Sequence, residues 1–140
     1  SGAHRDLHSC PTRRSSDLEA DRVCLLRQYR HVAGDWIWEL PAGVIEVGED
    51  PLETAQRELR EEAGLVATQW RELGTMLPSP GFCSEELFLY QAGDLSHVGA
   101  DTQPDEQIEV HWHTLEQVKA MAVDGRIRDA KTLVALYRLG

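Results

Sequence analysis

The chain has 140 residues, 41% of them hydrophobic, which is enough for one domain around one core and argues against a multidomain reading. Its formal net charge of −10 argues against unaided binding to a nucleic-acid backbone, since that affinity comes mainly from Lys and Arg neutralising phosphates. An acidic chain that handles phosphate groups needs cations, and a divalent metal bridging carboxylates to phosphate oxygens meets that need.

The residues at the start, 1–18, show no hydrophobic period and are rich in Ser, Arg, His and Pro, so they are expected to form a disordered arm. Within them the run HSCPTRRSSDL resembles a translated frame of a sequencing-library adaptor, with Cys10 where the adaptor would read Phe, so the arm is expected to be non-native. The folded domain is therefore placed at 19–140. From Arg22 the pattern turns regular: RVCLLRQYR and then WIWEL, residues 36–40, predict strands, as do 70–76, 86–91 and 108–112, each bounded by Gly, Pro, Ser or Asp. Asp50 as N-cap, Pro51 at the first helical position, Glu53 completing a capping box and Gly64 just past the end predict a helix over 51–63. Thr114 with Gln117 forms a second capping box, opening a helix through about Val123, and 129–139 reads as an amphipathic terminal helix.

Cys10, Cys24 and Cys83 are too few and too scattered for a disulfide framework or a CxxC metal site, and reduced thiols are expected. No stretch approaches the roughly 18 apolar residues of a membrane helix, and the polar start lacks a signal-peptide core. The expectation is a cytoplasmic protein with no membrane and no nucleic-acid partner.

Chemistry concentrates between residues 43 and 65: Gly43, five residues, Glu49, seven residues, Arg57-Glu58-Leu59, one residue, Glu61-Glu62, one residue, Gly64-Leu65. Glu58, Glu61 and Glu62, three and four residues apart, emerge over one helix face, where they repel one another unless cations occupy the site. Hard oxygen donors suit Mg2+ or Mn2+ better than zinc. A solvated surface helix would need neither Gly43, which fits a loop passing close to a ligand, nor Gly64, which fits a left-handed helix end.

This run matches the Nudix box at every defined position, and the chain resembles the ADP-ribose pyrophosphatase branch of the Nudix superfamily over roughly 19–139. RQYRH, WELPAG, SPGF and DEQIEV carry the likeness, with Pro80 sixteen residues beyond Gly64. The resemblance implies an α/β fold of the Nudix type, an α/β/α sandwich with a mixed sheet and a loop-helix-loop catalytic motif, here lacking its N-terminal strands. It implies metal binding by the Ala42 carbonyl, Glu58, Glu62 and Glu106, and catalysis by Glu61, Glu62, Arg57 and Glu106, with Asp105 a fallback for Glu106 and no single general base assigned. Arg27, Arg30, Glu39, Pro80 and Phe82 are the implied substrate-binding residues, and Trp36, Trp38 and Tyr29 are further stacking candidates. The implied reaction is Mg2+-dependent hydrolysis, with Mn2+ as a substitute, of ADP-ribose or a related nucleoside diphosphate sugar to AMP and ribose 5-phosphate. The alternatives are a hydrolase of another nucleotide sugar or an oxidised nucleotide, or a non-catalytic ADP-ribose-sensing domain. A homodimer is implied for the full-length family member. His111 and His113 are read as structural or surface residues rather than a metal pair, and Cys83 as a tolerated small side chain rather than a nucleophile.

Overall fold

The strand Asp21–Arg30 (β2) sends alternate side chains to opposite faces and so builds two cores. Val23 and Leu25 pack with Leu40, Leu89, Val118 and Leu136 on one face, and Cys24 and Leu26 pack with Leu59, Ala63 and Leu65 on the other. The helices Leu115–Val123 (α2) and Ala130–Leu139 (α3) cover the first face. The helix that starts at Pro51 covers the second. The computed structural model, which describes residues 5–14, 21–99 and 107–139, is thus the expected α/β/α sandwich.

Among the described residues the sheet has seven strands. Besides β2 they are Arg5–Arg14 (β1), Asp35–Glu39 (β3), Ala42–Val44 (β4), Leu65–Met76 (β5), Glu86–His97 (β6) and Ile108–Thr114 (β7). The main order is β3-β2-β1-β6-β5, with β4 paired to β1 and β7 to β2. Pairing is antiparallel throughout except between β1 and β6, which run parallel from Arg5 opposite Glu86 to Pro11 opposite Ala92, so the sheet is mixed as expected.

Two expectations are corrected here. Within the arm expected over 1–18, Arg5–Arg14 is a strand joining β6 to β2 and β4, while 1–4 and 15–18 lie outside the described residues. Strand pairing uses backbone groups, so a segment without a hydrophobic period can still fill a slot in a sheet. The sheet is accordingly not left without a partner strand at β6. The strands expected at 70–76 and 86–91 also run longer, forming a twelve-residue-per-arm hairpin that pairs from Leu65 opposite His97 to Met76 opposite Leu87.

The helix punctuation held. The helix Pro51–Glu58 (α1) begins after Asp50, whose N–H donates to Glu53 Oε2 at 3.5 Å, and Pro51 needs no N–H partner at that position. It continues through Leu59–Ala63 as a π-helical turn, in which the Gly64 N–H reaches the carbonyls of Leu59 and Arg60. Gly64 then ends the element at φ 68°, a left-handed conformation that costs glycine little. Thr114 and Gln117 make the reciprocal capping bonds that open α2, at 2.8 and 3.1 Å.

Candidate active site

The capped helix aims its charged face at the loop leaving β3, and Arg57 organises the result. Its guanidinium grips Glu49 with two bonds, Nε to Oε2 at 2.9 Å and Nη2 to Oε1 at 3.0 Å. Nη1 reaches Glu58 at 2.8 Å and Glu61 at 3.3 Å. One planar cation thereby holds three carboxylates apart in fixed positions, a task suited to the rigid fork of Arg and not to Lys. Glu49 also accepts from the Thr54 hydroxyl at 2.6 Å and from the Glu46 N–H at 3.2 Å. The Arg57 bonds, then the Thr54 bond, hold the Glu49 carboxyl down at about 2. The Arg57 guanidinium is pushed up in turn, chiefly by Glu49.

Opposite this array the chain passes from Pro41 into the short strand β4. The Ala42 N–H donates to Glu62 Oε1 at 2.9 Å, tying the loop to the helix. Gly43 lies so close to Glu58 that a Cβ there would fall 2.1 Å from the carboxyl carbon. The carboxylate can approach the loop only because that side chain is missing. Among the described residues no three His, Cys, Asp or Glu side chains converge as a ready-made metal group, and Glu49, Glu58 and Glu61 are each paired with Arg57.

Beside the loop lies a cavity of about 620 Å3 lined by Arg30, Ile37, Glu39, Ala42, Gly43, Arg128, Asp129 and Lys131 among others. Glu39 is 4% exposed and is held by Arg30 through two bonds, at 2.8 and 3.1 Å. The Glu39 bond is the main reason the Arg30 guanidinium is raised above its usual range. A second cavity, of about 570 Å3, is lined by Arg57, Arg60, Glu61 and Trp70 among others.

Of the residues expected to serve the site, the structure brings together Ala42, Arg57, Glu58, Glu61, Glu62, Arg30 and Glu39. It does not bring Arg27 there. Three positions from Arg30 on one strand, Arg27 faces the opposite side of the sheet, where it lies over the rings of Trp36 and Trp38 and 4.0 Å from Glu109. Trp36, Trp38 and Tyr29 share that other face, Tyr29 packing edge-on against Trp36, so none lines the cavity. Phe82 is 91% exposed, and neither it nor Pro80 lines either cavity. Glu106 and Asp105 lie outside the described residues. His111 and His113 pack edge-on against Trp38, and burial, followed by His111 and Arg126, lowers the His113 imidazole. Cys83 lies in an exposed turn with its thiol 3.6 Å from the Ser79 carbonyl.

Sequence reasoning gave Glu49 no role and missed Thr54, Arg128, Asp129, Lys131 and Thr132. The charged triplet flanking the start of α3 was a usable signal, because side chains at a helix start that packs on the sheet can reach its neighbouring loops.

A mixed sheet between helices, with a glycine loop facing a capped helix of interleaved Arg and Glu, defines a loop-helix-loop site on an α/β/α sandwich. The chain belongs to the Nudix family: residues 15–136 match the NUDIX domain. It is 39% identical over 108 residues to an ADP-ribose pyrophosphatase of Mycobacterium tuberculosis, covering 75% of this chain and 52% of that protein. It is 37% identical over 121 residues to a methanol dehydrogenase activator of Bacillus methanolicus, covering 85% of this chain and 65% of that protein. An ADP-ribose pyrophosphatase of Bacillus subtilis is 34% identical over 120 residues, with 84% and 65% covered. The chain thus spans about half to two thirds of the length of these relatives. A solved structure described as an ADP compounds hydrolase superposes with a TM-score of 0.85, covering 99% of this chain and 71% of that one; at 22% identity this likeness bears on the fold.

Proposed function

We propose that the chain is a Nudix pyrophosphohydrolase that cleaves the diphosphate bond of ADP-ribose or a related nucleoside diphosphate sugar, giving AMP and ribose 5-phosphate. The observation that carries this reading is the Arg57-ordered carboxylate array facing the Ala42–Gly43 loop, with the Arg30–Glu39 cavity alongside.

The donor set fits a hard divalent cation: the Ala42 carbonyl, Glu58 and Glu62 offer oxygen only, and Gly43 leaves room for Glu58 against the loop. When bound, Mg2+ or Mn2+ would lower the pKa of a water and offset charge on the diphosphate. Arg57 keeps Glu58 and Glu61 in register and suppresses their mutual repulsion. Glu62 holds the Ala42 amide and so fixes the loop that presents the carbonyl. The buried Glu39 pins Arg30 by its fork, leaving part of the guanidinium at the cavity wall for a phosphate or ribose oxygen. Support for the substrate class comes from the relatives whose names specify ADP-ribose.

The reading extends to a cytoplasmic enzyme of a small-molecule nucleotide sugar, consistent with the unpaired Cys24 and Cys83. No helix among the described residues is long and apolar enough to cross a membrane. The homodimer implied for the full-length family member is checked by light scattering.

The test is AMP release from ADP-ribose with Mg2+, with EDTA, and in Glu62→Gln. Metal-dependent release lost on substitution supports the proposal. A folded protein that binds ADP-ribose and releases no AMP would overturn it in favour of a sensing domain.

A further inference from the structure

Thr132 lies in the first turn of α3, 0% exposed, yet its hydroxyl reaches across the molecule to the loop of the site. It donates to Asp129 Oδ2 at 2.8 Å, and its oxygen accepts from the Leu40 N–H at 3.2 Å. Asp129 Oδ2 also accepts from the Thr132 N–H at 3.1 Å, while Lys131 Nζ lies 3.3 Å from Asp129 Oδ1. The aspartate therefore orients the hydroxyl, leaving a lone pair for Leu40.

Leu40 follows Glu39, the last residue of β3 in register with β2, and stands two residues before Ala42. Between them Pro41 has a fixed φ and no N–H. The segment is held at both ends: the Leu40 amide by Thr132 from α3, and the Ala42 amide by Glu62 from the catalytic helix. With the middle residue stiff and both flanking amides anchored, the chain is placed as far as the Ala42 amide, and the pairing of β4 with β1, Ala42 opposite His8 and Gly43 opposite Leu7, carries that placement on to the Ala42 carbonyl. We infer that the Asp129–Thr132 pair is a positioning device that aims the Ala42 carbonyl and thereby sets the affinity of the site for its divalent cation. This rests on the metal site proposed above. Capping alone would not need it, because Asp129 caps α3 through the Thr132 N–H without any contact to Leu40.

The test reads metal binding directly, as Mn2+ titrated into the protein without substrate and followed by electron paramagnetic resonance, alongside the Mg2+ dependence of AMP release. Thr132→Val keeps the side-chain shape and removes the hydroxyl; Thr132→Ser keeps the hydroxyl. The expected result is about tenfold weaker Mn2+ binding in Thr132→Val, the range in which second-layer partners of metal ligands act, with Thr132→Ser within about twofold of the parent. Should Thr132→Val not fold, Asp129→Asn, which retains a helix cap but weakens the orienting acceptor, is expected to shift Mn2+ binding in the same direction. Parent-like Mn2+ binding in a folded Thr132→Val or Asp129→Asn overturns the inference. A parent chain that binds no Mn2+ overturns the metal site itself, and the two failures are distinct.

Discussion

Gly43→Ala separates the geometry of the site from the stability of the fold. The new Cβ would lie 2.1 Å from Glu58 Cδ, 2.2 Å from Oε1 and 2.4 Å from Cγ, where ordinary contact begins at 3.4 Å. The carboxyl must therefore retreat by about 1.3 Å, the difference between the contact limit and the shortest of these distances. Glu58 is the flexible side chain in that clash, so the retreat costs a rotamer change of about 0.5–1.5 kcal/mol rather than a backbone shift. Its 2.8 Å bond to Arg57 weakens with it. A displacement near 1 Å at a reacting centre costs roughly 100-fold in rate, or about 2.7 kcal/mol of transition-state stabilisation. The expected outcome is a melting temperature within a few degrees of the parent and kcat for AMP release down about 100-fold, with a higher Mg2+ requirement. Thermal melts by circular dichroism and initial rates over a Mg2+ series provide both numbers. Turnover within about threefold of the parent in a folded protein would refute the reasoning. So would loss of the fold, since that would place the clash on the backbone.

Arg57→Ala tests the carboxylate array through pH. The Glu49 carboxyl is held at about 2 in the fold against an ordinary 4.5, so its stabilising contribution is complete above about pH 5 and is lost as pH falls from 4.5 towards 2. The difference in urea midpoint between parent and Arg57→Ala should thus be largest near neutrality and shrink across that acid window; a difference constant with pH would remove Glu49 from the account. Arg30→Ala leaves the buried Glu39 carboxylate without its fork, with an expected loss of about 1–3 kcal/mol, nearer the lower figure because Arg30 is half exposed, and a raised KM for ADP-ribose. Thermal melts and steady-state kinetics check both, and an unchanged KM would separate Arg30 from substrate. Burial pushes the Cys24 thiol up to about 12, so iodoacetamide at pH 8 should spare Cys24 in the folded protein while labelling the exposed Cys83, as read by peptide mass mapping.

The site was legible where its chemistry is local. Asp50, Pro51, Glu53 and Gly64 mark the helix because capping and left-handed termination act within a few residues, and Arg57 meets Glu58 and Glu61 on one helix face. Strand limits were less so. β1 shows no alternation to read, and its place is set by backbone pairing with β6, some eighty residues on in sequence. Arg27 shows a legible rule left unused: Arg27 and Arg30 are three apart on a strand, which puts them on opposite faces, so only one could share the cavity with Glu39. The period-two pattern alone was sufficient to choose between them once Glu39 was taken as the partner.

What stayed hidden was the layer behind the first. Ala42 and Glu62, 20 residues apart, belong to a box whose spacing is constrained by one loop and one helix. Leu40 and Thr132 are 92 apart, and their bond exists only because α3 packs back on the sheet through Ala135 and Leu136, bringing its first turn beside the end of β3. A threonine near the start of an amphipathic helix looks the same in sequence whether it caps that helix or holds a distant amide. The difference is carried by the core that seats α3. A cavity beneath α3, as in Leu136→Ala, should therefore loosen the loop as well as the fold: alongside a destabilisation of about 2–5 kcal/mol, the Mg2+ requirement for AMP release should rise more than in a variant of equal stability made at Met121 of α2, in the same core but off α3. Equal Mg2+ requirements in the two variants would mean that α3 supports the sandwich without aiming the site.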